Sequence, residues 1–198
     1  YGGDGARKVA TFDKSLATAQ DQPIPLFDPA TKLLDAGNWS VSATWDVPAD
    51  AVSGVYFAKL TRLDGVQGTN IMPFIVRDDE SPSDITFQTS DTTWQAYNPW
   101  GGYNLYGSID GGLNIGRAFA VSYNRPITTR EGGLASGPQD FIFGVEYPAI
   151  RWLEQNGYDI NYISGVDTAR DGAQLLNSQI FLSVGHDEYW SGDQYSNV

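Results

Sequence analysis

The sequence contains no cysteine, a single histidine and a single methionine among its 198 residues. Without thiols, disulfides and thiolate zinc sites are excluded. Basic residues are scarce: 12 Lys and Arg against 24 Asp and Glu leave a formal net charge of −12. A surface this acidic repels phosphate backbones and anionic headgroups, so nucleic acid and anionic membranes are poor partners. The acidity reads more simply as a solubility device. No apolar run approaches the roughly 20 residues that a membrane helix needs. The chain carries no signal-peptide pattern and begins at Tyr1 rather than Met, so an N-terminus that was processed, cut or left undetermined is expected.

What is present suffices for a core. Hydrophobic residues make up 41% of the chain, enough to bury a real core and to argue against disorder. Tyr, Trp and Gly are abundant, a composition often found with β-sheet and shaped loops.

Residues 1–80 read as strands. Trp39, Val41, Ala43, Trp45 and Val47 alternate with Ser40, Ser42, Thr44 and Asp46, the period of a half-buried antiparallel strand, and Pro48 ends it. Ser53-Gly54 turns the chain into a β-forming run, Val55–Leu63, and Asp64-Gly65 turns it again. Ile71–Val76 carries Pro73 and is expected at an edge or a bulge. Together these predict a small Ig-like β-sandwich module over 1–80, with room for further strands upstream of Tyr1. Arg77–Pro82 is the expected linker.

Residues 81–198 change texture. Ile85–Phe87 suits a short strand. A stretch dense in Gly, Asn and Tyr follows from Ser90 to Gly116, and loops this long are usually functional when ordered. Ala118–Tyr123 looks strand-like before Pro126. Val145, Ala149, Trp152 and Leu153 recur at helical spacing, with Gly157 as the stop. Tyr158–Ile163 suits a strand, Asp171–Leu176 a short helix and Gln179–Val184 an apolar strand. Strand, helix and strand in this rhythm predict α/β architecture with a parallel sheet, of which about three strands are visible.

The richest segment runs from Phe181 to Trp190. An apolar strand ends at Gly185 and presents His186, Asp187 and Glu188, the first of these the one histidine of the chain. Open α/β sheets bind ligands just beyond the carboxyl ends of their strands, and these side chains suit metal binding or acid–base work. The bland alternative is a charged loop after a strand. For Tyr103 and Tyr106 the plain reading is a packed ring whose hydroxyl satisfies a backbone group.

Longer runs carry a resemblance. Thr93-Trp94-Gln95-Ala96-Tyr97-Asn98, Gly101-Gly102 with Leu105-Tyr106, and Val121 to Pro126 (Val-Ser-Tyr-Asn-Arg-Pro) form its first half. Glu146-Tyr147-Pro148, Trp152-Leu153, Asn156-Gly157-Tyr158-Asp159 and Gly185 to Ser191 (Gly-His-Asp-Glu-Tyr-Trp-Ser) complete it. The chain from about Asn38 onward resembles the large (beta) subunit of N,N-dimethylformamidase and its relatives. The resemblance implies a glutamine-amidotransferase-like α/β domain over 81–198, cut short at its C-terminus, behind the β-sandwich. It further implies a mononuclear ferric iron (Fe3+) held by Tyr97, Tyr123 and Glu188, with Tyr106 as the other choice for the second tyrosine. Phenolate and carboxylate are hard donors suited to ferric iron, and such an ion polarises a carbonyl and acidifies bound water. His186 then orients water or protonates the departing amine, so His186 and Glu188 are the expected catalytic pair.

The expected function is metal-dependent hydrolysis of the C–N bond of a small linear amide. The partners are that substrate, the remainder of the same polypeptide and a second copy in a homo-oligomer. A non-catalytic extracellular module that binds glycan or protein is the alternative. A glycosidase using Asp187 and Glu188 ranks last, because adjacent loop carboxylates rarely reach the ~5 Å or wider spacing across a bond. Lack of cysteine and the upstream module point to a secreted bacterial protein, with the cytoplasm as the other compartment allowed.

Overall fold

The structure is a computed structural model and describes residues 5–13, 20–129 and 132–198. In chain order its first strands are β1 (Leu26–Asp28), β2 (Leu33–Asp35), β3 (Gly54–Thr61), β4 (Thr69–Val76) and β5 (Ile85–Thr89). Helix α1 (Asp91–Tyr97), the short strands β6 (Gly107–Ser108) and β7 (Gly112–Leu113), and α2 (Glu146–Gln155) follow. The chain then forms β8 (Ile160–Ser164), α3 (Gly165–Arg170), β9 (Ile180–Ser183) and α4 (Gly192–Asn197). Short 3-10 turns lie at Trp100–Gly102, Pro138–Asp140 and Ala173–Asn177. Among the described residues no helix is long and apolar enough to cross a membrane.

Two compact units arise, each from two separate stretches: residues 1–49 with 94–156, and residues 50–93 with 157–198. The second unit contains the parallel sheet, in the order β8-β5-β9. Its central strand β5 is buried along its whole length, which explains the run Ile85, Phe87 flanked by β-formers. Register pairs Phe87 with Tyr162 on one side and with Leu182 on the other, and the Phe87 and Tyr162 rings pack 5.7 Å apart. About three parallel strands were expected, and among the described residues the parallel sheet has three.

Helices α3 and α4 start on serine caps: Ser164 Oγ accepts from Asp167 N–H, and Ser191 Oγ from Gln194 N–H. Helices α1, α3 and α4 are not among the expected elements, and the helix expected at 171–176 is a 3-10 turn at Ala173–Asn177. The short Gly-Val-Asp-Thr-Ala-Arg stretch lacks an apolar stripe, so only its cap announced it.

In the same unit β3 and β4 pair antiparallel over their full length, with Pro73 opposite Phe57. Both are edge strands of this two-stranded sheet, where a residue without an N–H is tolerated.

The first unit is built from short antiparallel pairs, β1 with β2 and β6 with β7, together with α2 and long ordered loops. Helix α2 matches its expected span and ends at Asn156 before Gly157, whose φ of +76° is one that glycine adopts freely. Its buried face is Glu146, Ile150 and Leu153, whereas Trp152, expected inside, is 56% exposed.

Two expected strands are absent. Residues 39–47 alternate as a strand should, yet no ladder forms there. Their bonds run to the side chains and carbonyls of 20–24: Trp39 Nε1 donates to Pro23 O at 2.9 Å, and Gln22 Oε1 accepts from Ser40 N at 2.9 Å. Val41 and Val47 are 75% and 52% exposed, so the alternation covers no core. Residues 118–123 are likewise irregular. Ala118 N–H bonds Asn104 O and Phe119 N–H bonds Thr31 O, two different segments, which cannot form one ladder.

Candidate functional site

In the second unit, β9 ends at Ser183 and the chain turns at Gly185, with φ of +79°. That conformation disfavours a β-carbon and allows an abrupt exit from the strand. Successive side chains then diverge. His186 Nε2 lies 3.0 Å from Glu188 Oε2, and both side chains are partly open, at 35% and 40% exposure. A ligand can therefore reach the pair. Asp187 turns the other way, where its Oδ2 accepts from Gln88 Nε2 at 2.9 Å and from Ser183 Oγ at 2.7 Å.

Helix α1 fixes the backbone of the same loop. Thr93 Oγ1 accepts the N–H of Glu188 at 3.0 Å and that of Tyr189 at 3.4 Å. Thr92 Oγ1 donates to Tyr189 O at 2.6 Å. Trp190 packs edge-on against Phe181, with centroids 6.2 Å apart. The segment from His186 to Trp190 is thus tied to β5, β9 and the first turn of α1. Such fixation is what a reacting group needs, because geometry errors of an ångström cost rate.

The first unit holds the expected tyrosines. Tyr97 closes α1, is buried, and stacks on Tyr106 with centroids 4.3 Å apart. Asn104, wholly buried, joins the two backbones: its Nδ2 donates to Tyr97 O at 3.0 Å, and its Oδ1 accepts from Tyr106 N and Gly107 N, each at 2.9 Å. Tyr123 lies on the irregular segment and is 46% exposed. Asp35 braces both of its neighbours, accepting from Ser122 Oγ at 3.0 Å and from Asn124 Nδ2 at 3.2 Å. The Gly37 N–H, and after it Ser122 and Asn124, hold the Asp35 carboxyl below the usual carboxylate range.

The structure therefore brings His186 and Glu188 together in one unit and pairs Tyr97 with Tyr106 in the other. Among the described residues no group of three or more His, Asp or Glu side chains is placed to hold a metal ion. A set drawn mainly from tyrosine lies outside that class.

The supporting residues were missed in the sequence. Nothing in the pattern marks Gln88; Thr93 stands out only as part of a family motif, and Asp187 only as one of three ionisable side chains after a strand, not as the loop's anchor. The available signal was slight: Thr86 lies inside the expected strand at 85–87 and Gln88 and Thr89 directly follow it, and the structure buries all three in β5. Polar side chains inside a central strand need partners, and here the partner is a site loop.

No match was found among curated proteins. The family described as N,N-dimethylformamidase beta subunit-like, C-terminal, matches residues 1–198, the whole sequence, and the chain belongs to that family.

Proposed function

We propose that this chain carries part of the active site of a hydrolase that splits the C–N bond of small amides, with ferric iron held by Tyr97, Tyr123 and Glu188. The observation that carries the reading is the anchored pair His186 and Glu188, presented beyond β9 in a member of this family. The donor set fits the ion, since two phenolates and one carboxylate are hard, anionic oxygen ligands. When bound, the iron supplies Lewis acidity toward an amide carbonyl and toward water.

The chain's own residues do the rest. Thr93 holds the Glu188 backbone in place, so the side chain that bears the carboxylate starts from a fixed point. His186, within hydrogen-bonding distance of Glu188 Oε2, orients that carboxylate and is the group to pass a proton to the departing amine. The finer architecture belongs to the same reading: a glutamine-amidotransferase-like sheet grown around β8-β5-β9, with the β3–β4 hairpin as part of a sandwich module.

A ferric titration of the full chain tests it. Phenolate-bound iron gives a visible charge-transfer band, and Glu188→Ala should remove tight uptake while circular dichroism stays unchanged. Tyr97→Phe and Tyr123→Phe should each weaken the band. Full iron occupancy in folded Glu188→Ala would sink the ligand assignment. Iron-loaded protein inert toward formamide-type substrates would count against the reaction.

A further inference from the structure

Arg125 lies two residues beyond Tyr123 and is almost wholly buried. Every one of its five guanidinium N–H groups has an acceptor. Nε donates to Ser122 O at 3.0 Å. Nη1 donates to Asn98 O and Tyr103 O, each at 3.4 Å. Nη2 donates to Gln95 O at 2.9 Å and to Gln95 Oε1 at 3.3 Å. Four of these acceptors are main-chain carbonyls, and none is a carboxylate.

The acceptors flank Tyr97 on both sides and adjoin Tyr123 on one, with Tyr103 O, on the loop between them, as the remaining carbonyl. Gln95 and Asn98 bracket Tyr97 at the C-terminal end of α1, where helix carbonyls turn to donors outside the helix. Ser122 immediately precedes Tyr123. We infer that Arg125 is a positioning residue that clamps the Tyr97 segment to the Tyr123 segment and so sets both phenols for one ion. This rests on the reading of Tyr97 and Tyr123 as iron ligands.

Two other roles for a buried arginine fail on the same geometry. It does not bind an anionic substrate group, because no N–H remains to donate. It is not half of an ion pair, because no carboxylate faces it among the described residues. Burial pushes its pKa down to about 10, which leaves it charged at neutral pH. The planar fork also explains why arginine and not lysine stands here, since three ammonium donors on a flexible stem cannot span both segments.

Two measurements on the full chain test the clamp, one without iron and one with it. Arg125→Lys keeps the charge and loses the fork; Leu153→Ala, a core truncation in α2, serves as the control for a general loss of stability. Without iron, amide hydrogen exchange in Arg125→Lys should quicken at least tenfold in 95–98 and in 122–125 together, and in Leu153→Ala these two segments should not move as a pair. With ferric iron, Arg125→Lys should bind at least tenfold more weakly, with a shifted charge-transfer band, while Leu153→Ala keeps the wild-type band. Unchanged exchange, loosening of one segment alone, or a wild-type band and affinity in Arg125→Lys overturns the proposal. If the unsubstituted protein shows no band, the iron reading fails and the exchange data alone judge the clamp. Should Arg125→Lys not fold, nuclear magnetic resonance of the unsubstituted protein decides: slow exchange of the Arg125 guanidinium protons at neutral pH is expected, and fast exchange overturns the clamp.

Discussion

Gln88, fully buried on the central strand, donates to Asp187 Oδ2 at 2.9 Å, across 99 residues of sequence. Asp187 sits between His186 and Glu188, so the strand interior and the site loop share one hydrogen bond. The other Asp187 oxygen and Gln88 Oε1 are buried without hydrogen-bond partners among the described residues.

Replacing Gln88 by Leu leaves Asp187 to Ser183 alone. Loss of this bond to a partly buried carboxyl group should destabilise the second unit by about 1–3 kcal/mol. Urea denaturation measures this. The same variant should weaken ferric binding, because the loop bearing Glu188 loses its tie to β5. Unchanged stability and unchanged iron affinity would remove Gln88 from the site's support.

Thr93→Val is nearly isosteric but offers no acceptor to the N–H groups of Glu188 and Tyr189. With Thr93 wholly buried, the expected cost is again about 1–3 kcal/mol, or a fall in Tm of about 2–4 °C per kcal/mol for a chain of this size. Thr92→Val, which loses one bond at a partly open position, should cost less. Calorimetry on both variants ranks them, and the reverse order would contradict the geometry.

Asn104 carries a heavier load, since its side chain satisfies Tyr97 O, Leu134 O, Tyr106 N and Gly107 N. Asn104→Ala should destabilise by about 2–4 kcal/mol, as several buried backbone groups lose their partner at once. Near-ultraviolet circular dichroism should change with it, because Tyr97 and Tyr106 stack beside this residue. A variant with wild-type stability and spectrum would show that the stack stands without it.

Asp35 gives a pH signature. Its folded pKa is depressed, chiefly by the Gly37 N–H. Its contribution is therefore present above the unfolded value of about 4 and is lost as pH falls through the lower folded value. The carboxylate is near the surface, so screening by solvent keeps the effect small. The stability difference between the protein and Asp35→Asn should stay constant near neutral pH and shrink below about pH 4. A difference that holds constant down to acid unfolding would remove the carboxylate from the Tyr123 anchor.

Local pattern decided much here. The apolar strands near 85–87, 158–163 and 179–184 and the helix at 145–156 could all be read directly. Each is specified by neighbours in sequence: β-branched runs, a 3.6-residue period and a glycine stop. The position of His186 and Glu188 beyond a strand end was legible for the same reason, as was the family through its ordered motifs.

What only the tertiary structure decided is which distant groups meet. Alternation at 39–47 could not reveal that no partner strand would pair with it, because a ladder needs a second chain segment at the right register. Nor could it show that β5, first of the three parallel strands in sequence, lies between the other two. The same holds for the acceptors around Arg125 and for Gln88 beneath Asp187. A buried polar side chain finds its partners through space, and spacing along the chain carries no record of them.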